Sequence, residues 1–275
     1  MENIDEYLSG RKLYGDDMSS EQIRAWYEDE KEGYANLGAG AAGDAGRYRY
    51  VYHALNQFHG YDRLEPVKSM SVLGYGSAYG DELMPVIRNV GALTIVDPSD
   101  AFRSEKVHGV PCSYVKPRAD GVLPLASDQF DLITCFGVLH HIPNVSAVVA
   151  ELARVLRPGG CLLLREPIVS MGDWRYPRPG LTRHERGIPR SILRGIAEGA
   201  GLQVEREGLC LFPLVAKIFG PLHKDVYNSR WATLLDAFLS CIFAWNLDYH
   251  ARNAFQKLRP TSAFYVLKKP RSAVE

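Results

Sequence analysis

The chain has 275 residues, which suits one large α/β domain with added segments or two small domains. Its 32 basic residues balance 32 acidic residues, and this argues against general nucleic-acid binding, which needs excess positive charge to neutralise phosphates. Apolar residues make up 46% of the chain, as in a globular protein with a substantial core.

Cysteine usage and the N-terminal stretch indicate a soluble, cytoplasmic protein. The five cysteines are scattered and form no C-x-x-C pair, which is typical of reduced thiols in the cytosol. The first 12 residues are polar and acidic and do not resemble a secretory leader. The longest near-apolar stretch, residues 234–247, is interrupted by Asp236 and Asn246 and is too short to span a bilayer, so no integral membrane segment is expected.

Residues 1–65 are predicted to form an N-terminal helical segment, or lid, ahead of a ligand-binding domain that spans residues 66–275. The run of glycine and alanine at 38–43 predicts a break in this segment, as a disordered or mobile loop. The aromatic-rich stretch 48–61 has helical spacing of its apolar residues. It favours either a helix on the domain edge or a segment that folds over the ligand and supplies tyrosines such as Tyr34 or Tyr48.

Residues 69–97 have the order of a nucleotide-binding βαβ unit. A short apolar run leads into Gly74 and Gly76, a helix-like stretch follows, and a β-branched run ends on Asp97. The two glycines allow the backbone to turn sharply and to approach a ligand where a Cβ would collide. A carboxylate at the position of Asp97 can accept two hydrogen bonds from a ribose diol.

Strand and helix patterns alternate along the rest of the chain, which predicts a mostly parallel sheet covered by helices on both faces. Ligands of such sheets bind beyond the carboxyl ends of the strands. The predicted strands are 70–74, 92–97, 112–116, 130–136, 160–166, 202–208 and 262–268. The predicted helices are 79–89, 99–106, 144–156 and 189–200.

Five motifs occur in an order that identifies a family. They are the glycine loop VLGYGSAYG, Asp97 after TIV, the run LPLASDQFDLI, the strand exit FGVLHHI and the turn LRPGG. Over residues 66–208 the sequence resembles the class I S-adenosylmethionine-dependent methyltransferases, especially those that act on small molecules. The resemblance implies a Rossmann-like α/β fold with a seven-stranded, mostly parallel sheet, and S-adenosylmethionine as the cofactor.

The resemblance also implies a set of cofactor-binding residues. Gly74 and Gly76 would pass under the methionine portion, Asp97 would bind the ribose hydroxyls, and Pro98 or Ser99 would border the adenine. The family's loop often has an acidic residue just before it, which this chain lacks at 71–73. The cofactor has no pyrophosphate, which gives a physical reason for the spacing Gly74-x-Gly76-x-x-x-Gly80 in place of the dinucleotide pattern GxGxxG.

Three more positions follow from the resemblance at the next strand ends. Asp120 would cap the adenine amino group, although it lies one position closer to the following Leu-Pro pair than is usual. Phe136 and Gly137 would line the methionine side of the cofactor, with His140 close by.

Methyl transfer from a sulfonium is a direct displacement, so the protein mainly supplies alignment, desolvation and a base for the acceptor. His140 and His141 are candidate bases, and His184, in the polar segment 174–194, is preferred for a hydroxyl acceptor. No metal is expected, because adjacent histidines point in different directions and no carboxylate lies at chelating spacing. We expect a small or medium organic acceptor, with oxygen preferred and nitrogen or carbon left open.

Residues 209–260 form a predicted helical insertion between the last two strands. Trp231, Leu235, Phe238, Ile242 and Trp245 recur with helical spacing. The insertion favours a helical cap on the sheet or a homodimer surface, with a lid for a hydrophobic acceptor as an alternative. Peripheral membrane contact is disfavoured, because the helix lacks a basic polar face.

Two rival functions remain from the sequence. A NAD-dependent oxidoreductase uses a related fold, but the glycine spacing and the LRPGG turn argue against it. A non-catalytic partner subunit that binds the cofactor without turnover is the second rival, and the altered entry to the glycine loop keeps it open.

Overall fold

The structure is a computed structural model that describes residues 4–41, 49–220 and 225–271. A central sheet of eight strands is flanked by seven α-helices in these ranges. The strands are β1 Met70–Tyr75, β2 Val90–Val96, β3 Lys106–Val107, β4 Val110–Val115, β5 Phe130–Phe136, β6 Leu156–Pro167, β7 Gln203–Cys210 and β8 Ser262–Lys268. The helices are α1 Ile4–Leu8, α2 Ser20–Ala41, α3 His53–His59, α4 Val145–Val155, α5 Arg190–Gly199, α6 Pro213–Phe219 and α7 Arg230–Ile242.

The strand order is β3-β4-β2-β1-β5-β6-β8-β7. The strands β4, β2, β1, β5 and β6 run parallel, whereas β8 is antiparallel to both of its neighbours. The predicted mostly parallel α/β sheet is therefore confirmed. The eighth strand, missed from the sequence, is the two-residue β3, which forms a hairpin with β4 through His108 and Gly109, both with positive φ.

Alternating side chains place a hydrophobic core on each face of the sheet. Leu162 and Leu164 of β6 belong to the core that packs against α4 and α5, whereas Leu163 belongs to the core against α3, α6 and α7. In α4, the buried residues Val148, Leu152 and Val155 recur with helical spacing, as the sequence predicted. The predicted cover of helices on both faces is confirmed.

Two predicted helices are wrong. Residues 79–89 form two 3-10 turns, Asp81–Leu83 and Ile87–Asn89, because Pro85 lacks the backbone donor that a continuous helix would use. At 99–106 only Asp100–Phe102 is helical. Ser104 stops that helix, since its hydroxyl bonds to the backbone of Lys106 in place of a helical turn.

The N-terminal segment also differs from the prediction. Helix α2 continues to Ala41, so residues 38–41 are helical rather than a break, and the rest of the run 38–43 lies outside the described residues. Helix α3 is shorter than the predicted stretch 48–61. In the described part of the chain, no helix is both long and apolar enough to cross a membrane.

The insertion between β7 and β8 is a helical cap on the α3 side of the sheet. The buried carboxylate of Asp236 in α7 accepts hydrogen bonds from the backbone of Leu211 at 2.9 Å and of Phe212 at 2.7 Å, which ties α7 to the end of β7. The opposite side of the helix carries large exposed apolar side chains, with Trp231 81% exposed and Phe238 60% exposed.

Candidate functional site

Two adjoining cavities lie beyond the carboxyl ends of the parallel strands. They share Tyr75, Gly76 and Gly137, so they are two halves of one cleft. The smaller half, about 100 Å³, contains Asp97 and is called the Asp97 cavity. The larger half, about 540 Å³, contains Arg165 and is called the Arg165 cavity.

Gly76 forms the tight turn between the two cavities. Its φ is +65°, and its N–H donates to the carbonyl of Val96 at 2.7 Å. A Cβ at this position would lie 2.5 Å from a methyl carbon of Val138, so the backbone of β1 can approach β5 only with glycine here. Ala78, two residues later, also adopts a positive φ, of 46°.

Asp97 is only 3% exposed and points back toward the turn. Its carboxylate accepts hydrogen bonds from the backbone N–H of Ala78 at 3.2 Å and of Ser99 at 3.0 Å. Burial raises the pKa of Asp97, and these two N–H groups oppose that shift. A carboxylate has about four lone-pair sites, so acceptor capacity remains for a ligand diol. Pro98 lines the same cavity.

The other predicted cofactor residues occupy different places. Phe136 and Gly137 lie at the exit of β5 and line the Arg165 cavity. Asp120 is exposed and forms an ion pair with Arg118 at 2.6 Å. It is absent from the described lining of the Asp97 cavity, which contains its neighbour Ala119 instead.

Glu82 is a site residue that the sequence reasoning missed. Its side chain is 5% exposed, lines the Arg165 cavity and has no hydrogen-bond partner for Oε1 among the described residues. Burial raises the pKa of this carboxyl to about 7. A Cβ on Gly74 would collide with the side chain of Ser77, so Gly74 leaves room for that hydroxyl in the loop above Glu82. The absence of an acid just before the loop was the signal in the sequence that directs a search to acidic residues nearby.

His140 is held between two carboxylates. Its Nδ1 lies 2.8 Å from Glu166 and its Nε2 lies 3.6 Å from Glu185. Burial alone would lower the pKa of His140, but the hydrogen bond to Glu166 and the negative charges of both glutamates outweigh burial and raise it to about 9. His140 is therefore protonated at neutral pH, and it lines the Arg165 cavity.

His141 faces the other half of the cleft. It lines the Asp97 cavity, and its Nδ1 lies 2.9 Å from Glu30 of α2. Burial, and then the positive charge of His140, lower the pKa of His141, while Glu30 opposes the shift. The two adjacent histidines therefore carry different charges at neutral pH.

His184 is placed away from the cleft. Its ring stacks on Trp26 of α2 at 4.5 Å, and its Nε2 lies 3.0 Å from Asp29. It is not among the described residues that line either cavity. Its backbone N–H and the hydroxyl of Thr182 both donate to Glu30, so this part of the predicted acceptor segment holds α2 in place.

The fold brings a carboxylate close to the adjacent histidines, although none lies near them in sequence. Glu185, distant in sequence, brings a ligand atom within 4.8 Å of those of His140 and His141. All three side chains already have partners, since His140 pairs with Glu166, His141 with Glu30, and Glu185 accepts from the backbone of Thr182. A site without metal stays a prediction.

Helix α2 covers the Asp97 cavity. Tyr27 lines this cavity, and the indole N–H of Trp26 donates to the carbonyl of His141 at 2.7 Å. Buried Arg186 donates to the carbonyls of Tyr14 and His140 and thereby joins the N-terminal segment to the cleft. Helix α2 therefore lies against the Asp97 cavity, and the role of the segment as a lid over the ligand stays a prediction. The tyrosine that it supplies is Tyr27, whereas the predicted Tyr48 and the side chain of Tyr34 lie outside what the structure describes.

Comparisons with known proteins identify the domain. A family model described as a methyltransferase domain matches residues 73–164. A ubiquinone biosynthesis O-methyltransferase of Methylobacterium sp. (strain 4-46) is 29% identical over 187 residues, which are 61% of this chain and 75% of the relative. These matches support an S-adenosylmethionine-dependent methyltransferase.

Other methyltransferase relatives cover shorter parts. An uncharacterised methyltransferase of Mycobacterium ulcerans (strain Agy99) is 35% identical over 114 residues, which are 41% of this chain and 40% of that protein. Among solved structures, the cyclase SpnF has 16% identity and a TM-score of 0.58, with 93% of this chain and 98% of that chain covered. An S-adenosylmethionine-dependent methyltransferase from Mesorhizobium loti has 14% identity and a TM-score of 0.51, with 78% and 97% covered. At such identities, these two structures show a shared fold alone.

The cleft of this methyltransferase fits S-adenosylmethionine. The turn at Gly76 is a cradle that a Cβ would fill, and Asp97 has acceptor capacity beside it. Glu82 offers a buried carboxylate oxygen without a described partner on the other side of the loop. The site therefore presents one buried carboxylate in each half of the cleft, and both halves meet at the turn of Gly76.

The substitution Gly76→Ala is expected to weaken binding of S-adenosylhomocysteine about tenfold or more, a loss of about 1.4 kcal/mol. The new Cβ would lie 2.5 Å from Val138, and alanine is strained at a φ of +65°. Isothermal titration calorimetry measures the affinity.

Gly109→Ala is the matched control, since Gly109 has a φ of +88° and no described heavy atom within 4 Å of an added Cβ. It should bear backbone strain and still bind the ligand normally. Normal affinity in Gly76→Ala would contradict the role of the turn.

Proposed function

We propose that this methyltransferase transfers a methyl group to a hydroxyl oxygen of a small or medium organic acceptor. The observation that carries the proposal is the continuity of the cleft, in which the Asp97 cavity opens at Gly76 into a second cavity of about 540 Å³ lined by aromatic and ionisable side chains. Curated relatives from Methylobacterium and Shewanella named as ubiquinone biosynthesis O-methyltransferases support oxygen as the acceptor atom.

In this proposal the cofactor lies across the carboxyl ends of β2, β1 and β5. Asp97 binds the ribose hydroxyls, and Pro98 borders the adenine. The backbone at Gly76 and Gly137 passes beneath the methionine portion, and Glu82 faces its ammonium group. Asp120 would have to break its ion pair with Arg118 to reach the adenine, so it has the least support among the predicted cofactor-binding residues.

S-adenosylmethionine supplies an activated methyl group, which leaves the chain to align the acceptor and to accept its proton. Of the three predicted histidines, His140 alone lines the larger cavity. The separation of 3.6 Å between Nε2 and Glu185 is too long for a hydrogen bond, so Nε2 can turn to an acceptor hydroxyl. We assign the role of base to His140, and its raised pKa means that the neutral form becomes abundant only at alkaline pH.

A homodimer is proposed through the exposed apolar face of α7. Trp231, Leu235, Phe238 and Ile242 form one stripe along this helix, and Trp245 extends it beyond the helix end. The stripe contains no charged side chain, so it is self-complementary and suits a two-fold pairing with a second copy. A lid role is not favoured, because these side chains point to solvent rather than to the cleft.

The partner in catalysis is proposed to be a small molecule rather than nucleic acid, in keeping with the balanced charge of the chain. We place the protein in the cytoplasm, where a reducing environment suits the free cysteines Cys135 and Cys210, both buried in the core.

Methyl transfer from labelled S-adenosylmethionine to catechol, a simple hydroxyl acceptor, tests the reaction. The rate is expected to rise with pH towards about 9, because a base must lose its proton before it can accept one. His140→Gln should lower the rate about a hundredfold and flatten this rise.

His184→Gln should keep the shape of the pH profile, because this side chain lies outside the described lining of the cleft. Transfer to aniline with none to catechol would refute oxygen as the acceptor atom.

The substitution Glu82→Gln is expected to weaken S-adenosylhomocysteine binding about tenfold, because it removes one charged hydrogen-bonding group. The affinity of the unaltered protein should rise with pH through about 7, since Glu82 attracts an ammonium group only after it loses its proton. The variant should lose that dependence. Calorimetry at pH values on either side of this pKa measures both effects, with exposed Glu198→Gln as the control. An unchanged pH dependence in the variant would remove Glu82 from the cofactor site.

Light scattering coupled to size-exclusion chromatography tests the dimer. The unaltered protein should have the mass of two chains, and Phe238→Glu should have the mass of one, because a buried unpaired carboxylate opposes association. Tyr176→Glu, which places the same charge on another exposed aromatic position, should remain dimeric. A monomeric unaltered protein would sink the proposal.

A further inference from the structure

Arg165 is a buried arginine that faces the larger cavity. It lies near the end of β6, in register with Phe136 of β5, and it is 5% exposed. Its Nη1 donates to the amide oxygen of Asn56 at 2.9 Å, and its guanidinium lies 4.1 Å from the centre of the Tyr52 ring. Among the described residues, no carboxylate lies within ion-pair distance of this guanidinium.

The nearest carboxylate in sequence is engaged elsewhere. Glu166 accepts hydrogen bonds from the backbone of Val138 and Leu139, each at 2.8 Å, and lies beside protonated His140. Burying a charge without an ionic partner is unfavourable, and such groups are retained where a ligand supplies the opposite charge. The cavity therefore contains a positive group that suits an anion.

The position of Arg165 assigns this anion to the acceptor. The strand order β2-β1-β5-β6 places the end of β6 three strands away from Asp97 at the end of β2. At about 4.8 Å per strand, the separation across the sheet is roughly 14 Å. The ribose is proposed to bind at Asp97 and the methionine portion at β1 and β5, so Arg165 lies beyond the reacting methyl group.

The walls around Arg165 suit a flat ring. Tyr50, Tyr52 and Phe136 line the cavity, and the guanidinium lies over the rings of Tyr52 and Phe136. Aromatic faces pack against planar ligands, and the arginine fork can bind both oxygens of one carboxylate. This combination distinguishes an aromatic acid from a neutral aromatic acceptor.

We propose that Arg165 binds a carboxylate of the acceptor and that the acceptor is an aromatic acid. The inference rests on the proposed methyltransferase function, because the cofactor must fill the Asp97 side of the cleft. Arg165 acts here as a specificity-determining residue that anchors the ring while a hydroxyl group meets the methyl donor.

Benzoate and benzamide are the test ligands, because they share a ring and differ in charge. Each is titrated by calorimetry into protein saturated with S-adenosylhomocysteine. Benzoate is expected to bind about tenfold tighter than benzamide, and Arg165→Gln should abolish that preference. Arg165→Lys keeps the charge without the fork and should retain part of it. Arg194→Gln, on the exposed face of α5, should bind both ligands as the unaltered protein does.

Several outcomes would overturn the inference. Equal affinities for benzoate and benzamide, no binding of either, or a benzoate preference that survives in Arg165→Gln would each do so. A tenfold loss of S-adenosylhomocysteine affinity in Arg165→Gln, with benzoate binding intact, would assign the arginine to the cofactor's own carboxylate. Failure of the unaltered protein to bind S-adenosylhomocysteine would contradict the proposed function itself. Circular dichroism and the midpoint of thermal unfolding establish whether Arg165→Gln and Arg165→Lys are folded. If Arg165→Gln does not fold, the benzoate preference of Arg165→Lys decides the question.

Discussion

The closeness of Gly76 to Val138 is the constraint on which the cleft depends. The turn after β1 passes close to Val138, which lies just after β5, and any side chain at Gly76 would collide with Val138. In the same turn, the N–H of Gly76 donates to the carbonyl of Val96 in β2, and the N–H of Ala78 donates to Asp97. Three neighbouring strand ends are thus fixed by one glycine, and the two halves of the cleft meet where it lies.

Buried charge organises the rest of the site. Glu166 orders the backbone after β5 and raises the pKa of His140, while Glu30 reaches His141 from the N-terminal helix. Since removing one member leaves another charge buried and unpaired, these contacts make the N-terminal helix part of the site rather than an appendage. The sequence showed the acids and the histidines but not that residues more than a hundred positions apart would pair.

The parts of the fold that were predictable depend on local pattern. Strands β5 and β8 have the predicted bounds, because their apolar runs are buried in the sheet and end at polar or glycine residues. The helix predicted over 79–89 failed at Pro85, a local signal that the apolar spacing obscured. His184 was misplaced for a different reason, since its role depends on Trp26 and Asp29 of a distant helix. Such tertiary contacts have no signature in the spacing of residues along the chain.

Glu82 and Arg165 show how function can differ between members of one fold. Both are buried, both line the larger cavity, and neither belongs to the motifs from which the family resemblance was drawn. The motifs place the backbone turn at Gly76 and the carboxylate of Asp97, which is the part of the cleft that we propose for the cofactor. In the proposals, Glu82 faces the ammonium group of the cofactor and Arg165 binds the acceptor, so each ligand meets one charge that comes from outside the motifs. We therefore infer that the motifs account for the choice of donor, whereas the choice of acceptor depends on Arg165, a buried side chain near the end of β6.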